Sequence, residues 1–233
     1  ADAVLDVGCG WGGMLRAAAA TRAEGAPALA HGVGLTLSDA QADLARDAIA
    51  RDLPNFGSPP PRFDIRLESW VDHKPAEPYG AIVSIGAFEH FTKPDDESEA
   101  KIAIYRDFFS RCRDWLKPDA RMTLQTIAYG DPNPDAAAVP FMRDIFPDSD
   151  LPRVRDILTA TDDLFEVERL RNDRVDYART CDIWAKNLRT HRAKAVELVG
   201  IEQTKRYERY LKFSGWGFWS NRLHLLRFRL KRR

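Results

Sequence analysis

Three groups of residues have the types and spacing to do chemistry. Gly8, Gly10 and Gly13, in "VLDVGCGWGGML", satisfy G-x-G-x-x-G between a short apolar run and an alanine-rich, helix-favouring stretch. Glycine permits the tight turn at Gly8 and lets a ligand approach the backbone closely at Gly10. Thr36 and Gln41, in "HGVGLTLSDAQ", set a hydroxyl and a carboxamide at and just beyond the end of a second apolar run. Glu89 follows the apolar run of "IVSIGAFEHF", where a carboxylate is costly to bury without a hydrogen-bond partner.

The glycine loop alone leaves open a dinucleotide phosphate, a methyl-donor cofactor and a turn with no ligand. A nicotinamide dinucleotide needs an acid about 20 residues on, closing the second strand, to hold the ribose hydroxyls. That strand ends instead in Leu35-Thr36-Leu37, and Asp39 falls into the next helix. Asp6 and "GCGWGG" sit better with S-adenosylmethionine, which has no pyrophosphate and needs backbone and hydroxyl contacts. Thr36 offers a hydroxyl where an acid would otherwise bind ribose, and Gln41 can donate and accept at once. Trp70, in "LESWVD", supplies an aromatic face for a purine, or an ordinary core aromatic. His90 follows Glu89, but neighbours in sequence diverge on a helix or strand, which speaks against it as a base.

The elements that must position these residues read as an alternation. Strands are expected at Val4–Val7, through Leu35, and in "FDIRLES", "GAIVSIGAFEHF" and "ARMTLQTI". Helices are expected from Met14 to Thr21, and from an N-cap at Ser38 or Asp39 to about Arg51. Such alternation implies a mostly parallel sheet covered on both faces. Residues 129–158 are rich in proline and aspartate with little periodicity, which reads as a lid or insertion in one domain over 1–233. Tyr177, Cys181, Trp184 and Leu188 share a helix face, and a second helix holds "TKRYERYLKF". The closing strand sets Leu226, Phe228 and Leu230 against a solvated face of Arg227, Arg229 and Lys231.

The chain has 233 residues, enough for one large core, and its 35 basic and 35 acidic residues cancel, so composition gives no pull toward nucleic acid. Cys9, Cys112 and Cys181 are odd in number and match no zinc spacing; they read as reduced thiols of a cytoplasmic protein, with no metal site. No apolar run suggests a membrane span or a signal peptide.

Taken together, "VLDVGCGWGG", "GVGLTLSDAQ", "IVSIGAFEHF", "MTLQTI", "IFPDSDLP", "DYARTCDIWAKNL" and "YERYLKF" resemble the cyclopropane-fatty-acid synthase and mycolic-acid cyclopropane synthase family, from Val4 to about Phe228. The resemblance implies an α/β, Rossmann-like, seven-stranded class I methyltransferase sheet with a helical cap. It implies methyl transfer from S-adenosylmethionine to a cis double bond of a fatty acyl lipid, on a phospholipid or an acyl carrier protein; the C-terminal arginines are a candidate for peripheral contact with lipid phosphates at a membrane surface, although their alternation favours a solvated strand face. The implied cofactor set is Asp6, Gly8, Cys9, Gly10, Trp11, Gly12, Thr36, Leu37, Gln41, Ser69, Trp70 and Ile85. Within it Gly8 and Gly10 approach the methionine part, Trp70 the adenine and Ile85 the sulfonium.

The implied catalytic set is Glu89, Tyr177, Gln125 and Ile127, which would hold a bicarbonate ion as the base, Ile127 through its backbone. Gln125 stands where the family most often has histidine; it can hydrogen-bond an anion but cannot titrate. The family's segment before the first strand, which supplies further site residues, is expected to be absent, and "SGWGFWSNRLH" departs from the family's late sequence. These departures motivate two alternatives: a methyltransferase for a small natural-product acceptor, and a truncated, non-catalytic relative.

Overall fold

The computed structural model describes residues 3–21, 29–57, 59–130 and 149–233; residues 131–148 of the expected lid lie outside them. The chain runs β1 (Ala3–Val7), α1 (Gly13–Ala20), β2 (His31–Thr36), α2 (Asp39–Asp52), β3 (Arg62–Leu67), β4 (Tyr79–Ile85), α3 (Ser98–Trp115) and β5 (Leu116–Tyr129). It continues as α4 (Val154–Thr161), β6 (Phe165–Asn172), α5 (Arg174–Thr190), α6 (Arg192–Val199), α7 (Ile201–Trp219) and β7 (Leu223–Arg232). The strands form one seven-stranded sheet in the order β3-β2-β1-β4-β5-β7-β6. The first five are parallel, and β7 runs antiparallel between β5 and β6.

Strict alternation of side chains divides the core into layers. Leu5, Val7, Ile82, Met122, Leu124, Phe228 and Leu230 belong to one buried cluster with Phe108 and Phe109 of α3 and Ile157 of α4. Val4, Val83 and Ile65 face the other way, onto Leu15 of α1 and Ala42, Ala45 and Ile49 of α2. Further along that second face, Leu223 and Leu225 of β7 meet Ala178 and Cys181 of α5 and Phe218 of α7, with Ile127 and Tyr129 of β5 packed against them. Burial on both faces explains why β1 and β2 read as continuous apolar runs rather than alternating ones.

Three elements depart from the sequence expectation for physical reasons. β4 stops at Ile85, because Gly86 takes a φ of 65° and breaks the ladder; Phe88–His90 then form a single 3-10 turn. α7 continues past Phe213 through "SGWGFW" although glycine weakens helices. There the missing side chains allow close packing: a Cβ at Gly217 would sit 2.7 Å from Leu223 Cδ1, and one at Gly215 3.2 Å from Asp182 Oδ1. β6 gave no strand signal, since only Phe165 of it is buried and charges crowd the rest. As an edge strand it carries Glu168, which Arg121 and Arg229 bind, and such charge discourages pairing with other chains. β7 alternates as expected, with Leu226, Phe228 and Leu230 buried and Arg227 and Arg229 exposed.

Candidate functional site

β1 feeds a loop with three left-handed residues, Gly8 at φ 77°, Gly10 at 53° and Gly12 at 75°, a region that favours glycine. At Gly8 space is lacking as well, since a Cβ would overlap the Ala87 methyl. Gly10 opens outward: no atom lies within 4 Å of where its Cβ would be, which leaves the backbone open to a ligand. The packing glycine at the start of α1 is Gly12 rather than Gly13, because a Cβ there would meet Ala45 Cβ at 3.1 Å, whereas Gly13 is unhindered. Cys9 donates its N–H to Leu35 O at 2.8 Å and packs its thiol over Gly34, so what it turns to the loop is backbone. Burial pushes the Asp6 carboxyl up to about 7.

Thr36, at the end of β2, accepts from Ser38 N–H at 3.3 Å and donates to Gln41 Oε1 at 2.7 Å. The hydrogen of its hydroxyl is committed inside the turn, one lone pair is left to accept, and Gln41 is left with its NH₂ to offer. Ser38 Oγ caps α2 by accepting from Gln41 N–H. Ser69 Oγ likewise serves its own turn, accepting from Val71 N–H at 3.3 Å. Trp70 is half-buried against Phe91 and Phe108, ring centroids 5.2 and 5.3 Å away, and the Arg111 guanidinium lies 5.9 Å from its ring. Trp11, Leu37 and Ile85 remain exposed around the loop. Open backbone at Gly10, an amide at Gln41 and uncovered apolar side chains form a set suited to an amino acid joined to a nucleoside.

The carboxylate stands where β4 gives out. Gly86 N–H donates to Gln125 O, the last rung between β4 and β5. The next amide of β5 on that edge, Ile127 N–H, has no strand to bond, and Glu89 Oε1 accepts from it at 2.5 Å. Glu89 Oε2 is buried with no hydrogen-bond partner. Burial holds this carboxyl above the usual carboxylate range, opposed by the Ile127 amide. Its turn is fixed by Phe88, fully buried and stacked on Tyr105 of α3 at 4.4 Å. His90 points elsewhere and pairs through Nδ1 with Ser149 Oγ.

Two cap helices face this carboxylate. Tyr177 of α5 packs edge-on against Phe218 and Trp184, at 5.0 and 6.0 Å, which fits the face they were expected to share. Burial pushes its hydroxyl up to about 12, with smaller contributions from Cys181, Tyr210 and Glu89. Tyr210 of α7 also feels the Glu89 charge and bonds to Ser214. Gln125 and Ile127 lie on the β5 face toward these helices; Arg227 Nε donates to Gln125 Oε1 at 2.7 Å.

The structure therefore gathers Glu89, Ile127, Tyr177 and Gln125 at one end of the sheet, and the glycine loop, Gln41 and Ile85 beside them. Sequence reading missed Tyr210, whose signal was the amphipathic "YERYLKF" face. It placed Arg227 on the exposed face of its strand, where it lies, but not its partner Gln125, which only the cross-strand register reveals. Among the described residues no group of three acids, histidines or cysteines is placed to hold a metal, and no helix is long and apolar enough to cross a membrane.

Residues 1–228 match the family model described as mycolic acid cyclopropane synthetase. Cyclopropane mycolic acid synthase 2 of Mycobacterium bovis is 32% identical over 222 residues, covering 90% of this chain and 68% of that protein. The S-adenosylmethionine-dependent methyltransferase UmaA of Mycobacterium tuberculosis is 33% identical over 223 residues, covering 89% and 70%. The structure of the cyclopropane synthase MmaA2 from Mycobacterium tuberculosis superposes with a TM-score of 0.82 at 29% identity, covering 99% of this chain and 78% of that one. Mycolic acid cyclopropane synthase CmaA1 complexed with SAH and CTAB gives a TM-score of 0.80 at 30% identity, with the same coverage.

Proposed function

This chain belongs to the mycolic acid cyclopropane synthetase family and is an S-adenosylmethionine-dependent methyltransferase with the class I fold, and from that premise we propose that it alkylates the cis double bond of an unsaturated fatty acyl lipid. The observation that carries this reading is the buried, half-satisfied Glu89 beside two tyrosines and a wall of aromatic rings. A catalyst that only methylated a basic nitrogen or an alkoxide would gain little from such a group. A reaction that must shed a proton from carbon needs it.

The cofactor supplies an electrophilic methyl group. The protein's task is then set by the acceptor, since an alkene is a weak nucleophile and the cation made from it is destroyed by water. The chain must be held against the methyl donor and water kept out. Phe218, Tyr177 and Trp184 provide an apolar wall for this, and Gly8, Gly10 and the Gln41 amide hold the donor. Glu89 Oε2 is the acceptor that takes the proton, either directly or from a bicarbonate ion serving as the base. Bicarbonate suits these residues: Glu89 Oε2 lacks a donor, while the Gln125 amide and the Tyr177 hydroxyl have hydrogens to give. The Ile127 amide, expected as a further donor to the ion, is engaged by Glu89 instead.

Gln125, in place of an imidazole, favours one further reading, a small acceptor methylated with the same cofactor. Both are tested by supplying methyl-labelled S-adenosylmethionine with unsaturated phospholipid, with acyl carrier-linked chains and with small acceptors. Label in a lipid that has lost its double bond supports the proposal. Label only in small acceptors selects the second reading, and no transfer by a preparation that binds the cofactor overturns both.

A further inference from the structure

Gln125 and Arg227 are directly opposite each other in the β5–β7 ladder. They continue the face on which the next pair, Ile127 and Leu225, lies beneath α5 and α7. A guanidinium has only donors, so the Gln125 atom that meets Arg227 Nε at 2.7 Å is its carbonyl oxygen. The orientation of this amide is therefore fixed by chemistry, and its NH₂ points away from Arg227. No described residue accepts from that NH₂. Arg227 is itself held, since its Nη1 lies 2.5 Å from Asp173 Oδ2, and Arg171 Nη2 binds the same oxygen at 2.8 Å. Asp173 is the residue before α5, and its carbonyl accepts from Tyr177 N–H at 3.1 Å. One relay thus ties the first turn of α5, which carries Tyr177, to the side chain of Gln125.

We infer that Arg227 is a positioning residue: by pinning the Gln125 carbonyl it aims the amide N–H bonds at an anion held beside Glu89. A free glutamine presents either end of its amide, and an oxygen turned toward an anion would repel it. The Arg227 contact removes that orientation. An uncharged donor set thereby does what a protonated imidazole would do, without depending on a proton of its own. The inference rests on the reading that an anion serves as base at this site.

The test is a titration of the purified protein with ¹³C-labelled bicarbonate, followed by line broadening of the bicarbonate signal. It compares the parent with Arg227→Met and Gln125→Glu, with S-adenosylmethionine affinity and thermal unfolding measured in parallel. Gln125→Glu keeps, and strengthens, the bridge to Arg227 but removes both amide donors. If Arg227 acts through Gln125, each variant loses bicarbonate affinity about tenfold, the worth of roughly one hydrogen bond, while cofactor affinity holds. Turnover falls with acceptor KM little changed. Arg227→Met that loses stability but binds bicarbonate like the parent overturns the inference, as does Gln125→Glu that binds it normally. A parent that binds no bicarbonate overturns it too; label transfer to lipid then decides separately whether the proposed reaction stands.

Discussion

Asp6 and Glu89 are both acids pressed into an apolar setting at the ends of β1 and β4, and they make different demands on the molecule. Asp6 has an ordinary pKa of 3.8, raised by burial to about 7 in the folded chain. Between those values the folded state binds the extra proton, so the stability of the ligand-free protein should fall as pH rises from roughly 4 to 7. Taken at full size the shift is worth on the order of 4 kcal/mol, and Asp6→Asn should flatten the slope in denaturant titrations across that range. For Glu89 the raised pKa, on the mechanism proposed above in which the ionised carboxylate takes the proton, places the acid limb of the methyl-transfer pH profile above the usual carboxylate range. Glu89→Gln should cut turnover about 10²-fold or more and remove that limb, while keeping an oxygen for the Ile127 amide. Glu89→Ala should in addition cost about 1–3 kcal/mol of stability, the desolvation penalty of an amide left without an acceptor.

At the scale of elements, the turn after β4 is gripped from two sides. Ala87 fills the space over Gly8, and Phe88 inserts among Tyr105, Phe108 and Phe109. Gly8→Ala should weaken both folding and cofactor binding, through its positive φ and through the overlap. A compensating Ala87→Gly should restore only the part due to overlap, which unfolding and calorimetry on the single and double variants would separate. Phe88→Ala should cost about 3–5 kcal/mol, and a version that still folds should hold Glu89 less firmly. In the sequence, Gly8 and Glu89 each stood out by type. Their shared clamp did not, because it depends on β1 pairing with β4 across more than seventy residues. Arg227 was hidden for the same reason: alternation gave its side of the strand correctly, but nothing local names the Gln125 it faces.

For the whole molecule, the parallel run of strands was legible because apolar runs and glycine turns are local signals, whereas the strand order, with β1 beside β4, was not. β6 was not, since an edge strand rich in charge carries no such signal. The site lies where the chain leaves β1 in one direction and β4 in the other, the crevice in which open α/β sheets bind ligands. Cofactor binding should therefore stabilise the entire sheet: at one hundred times its dissociation constant S-adenosylmethionine should add about 2.7 kcal/mol, read as a concentration-dependent rise in melting temperature. The early end of β4 has a last consequence. The side chain that mends the torn rung of the sheet is also the one proposed to take the proton, so the scaffold resists any exchange there that lacks an oxygen. On the proposed reading, freedom to accept new substrates is left to the rings carried by α5 and α7, and a search for altered specificity belongs on those two helices.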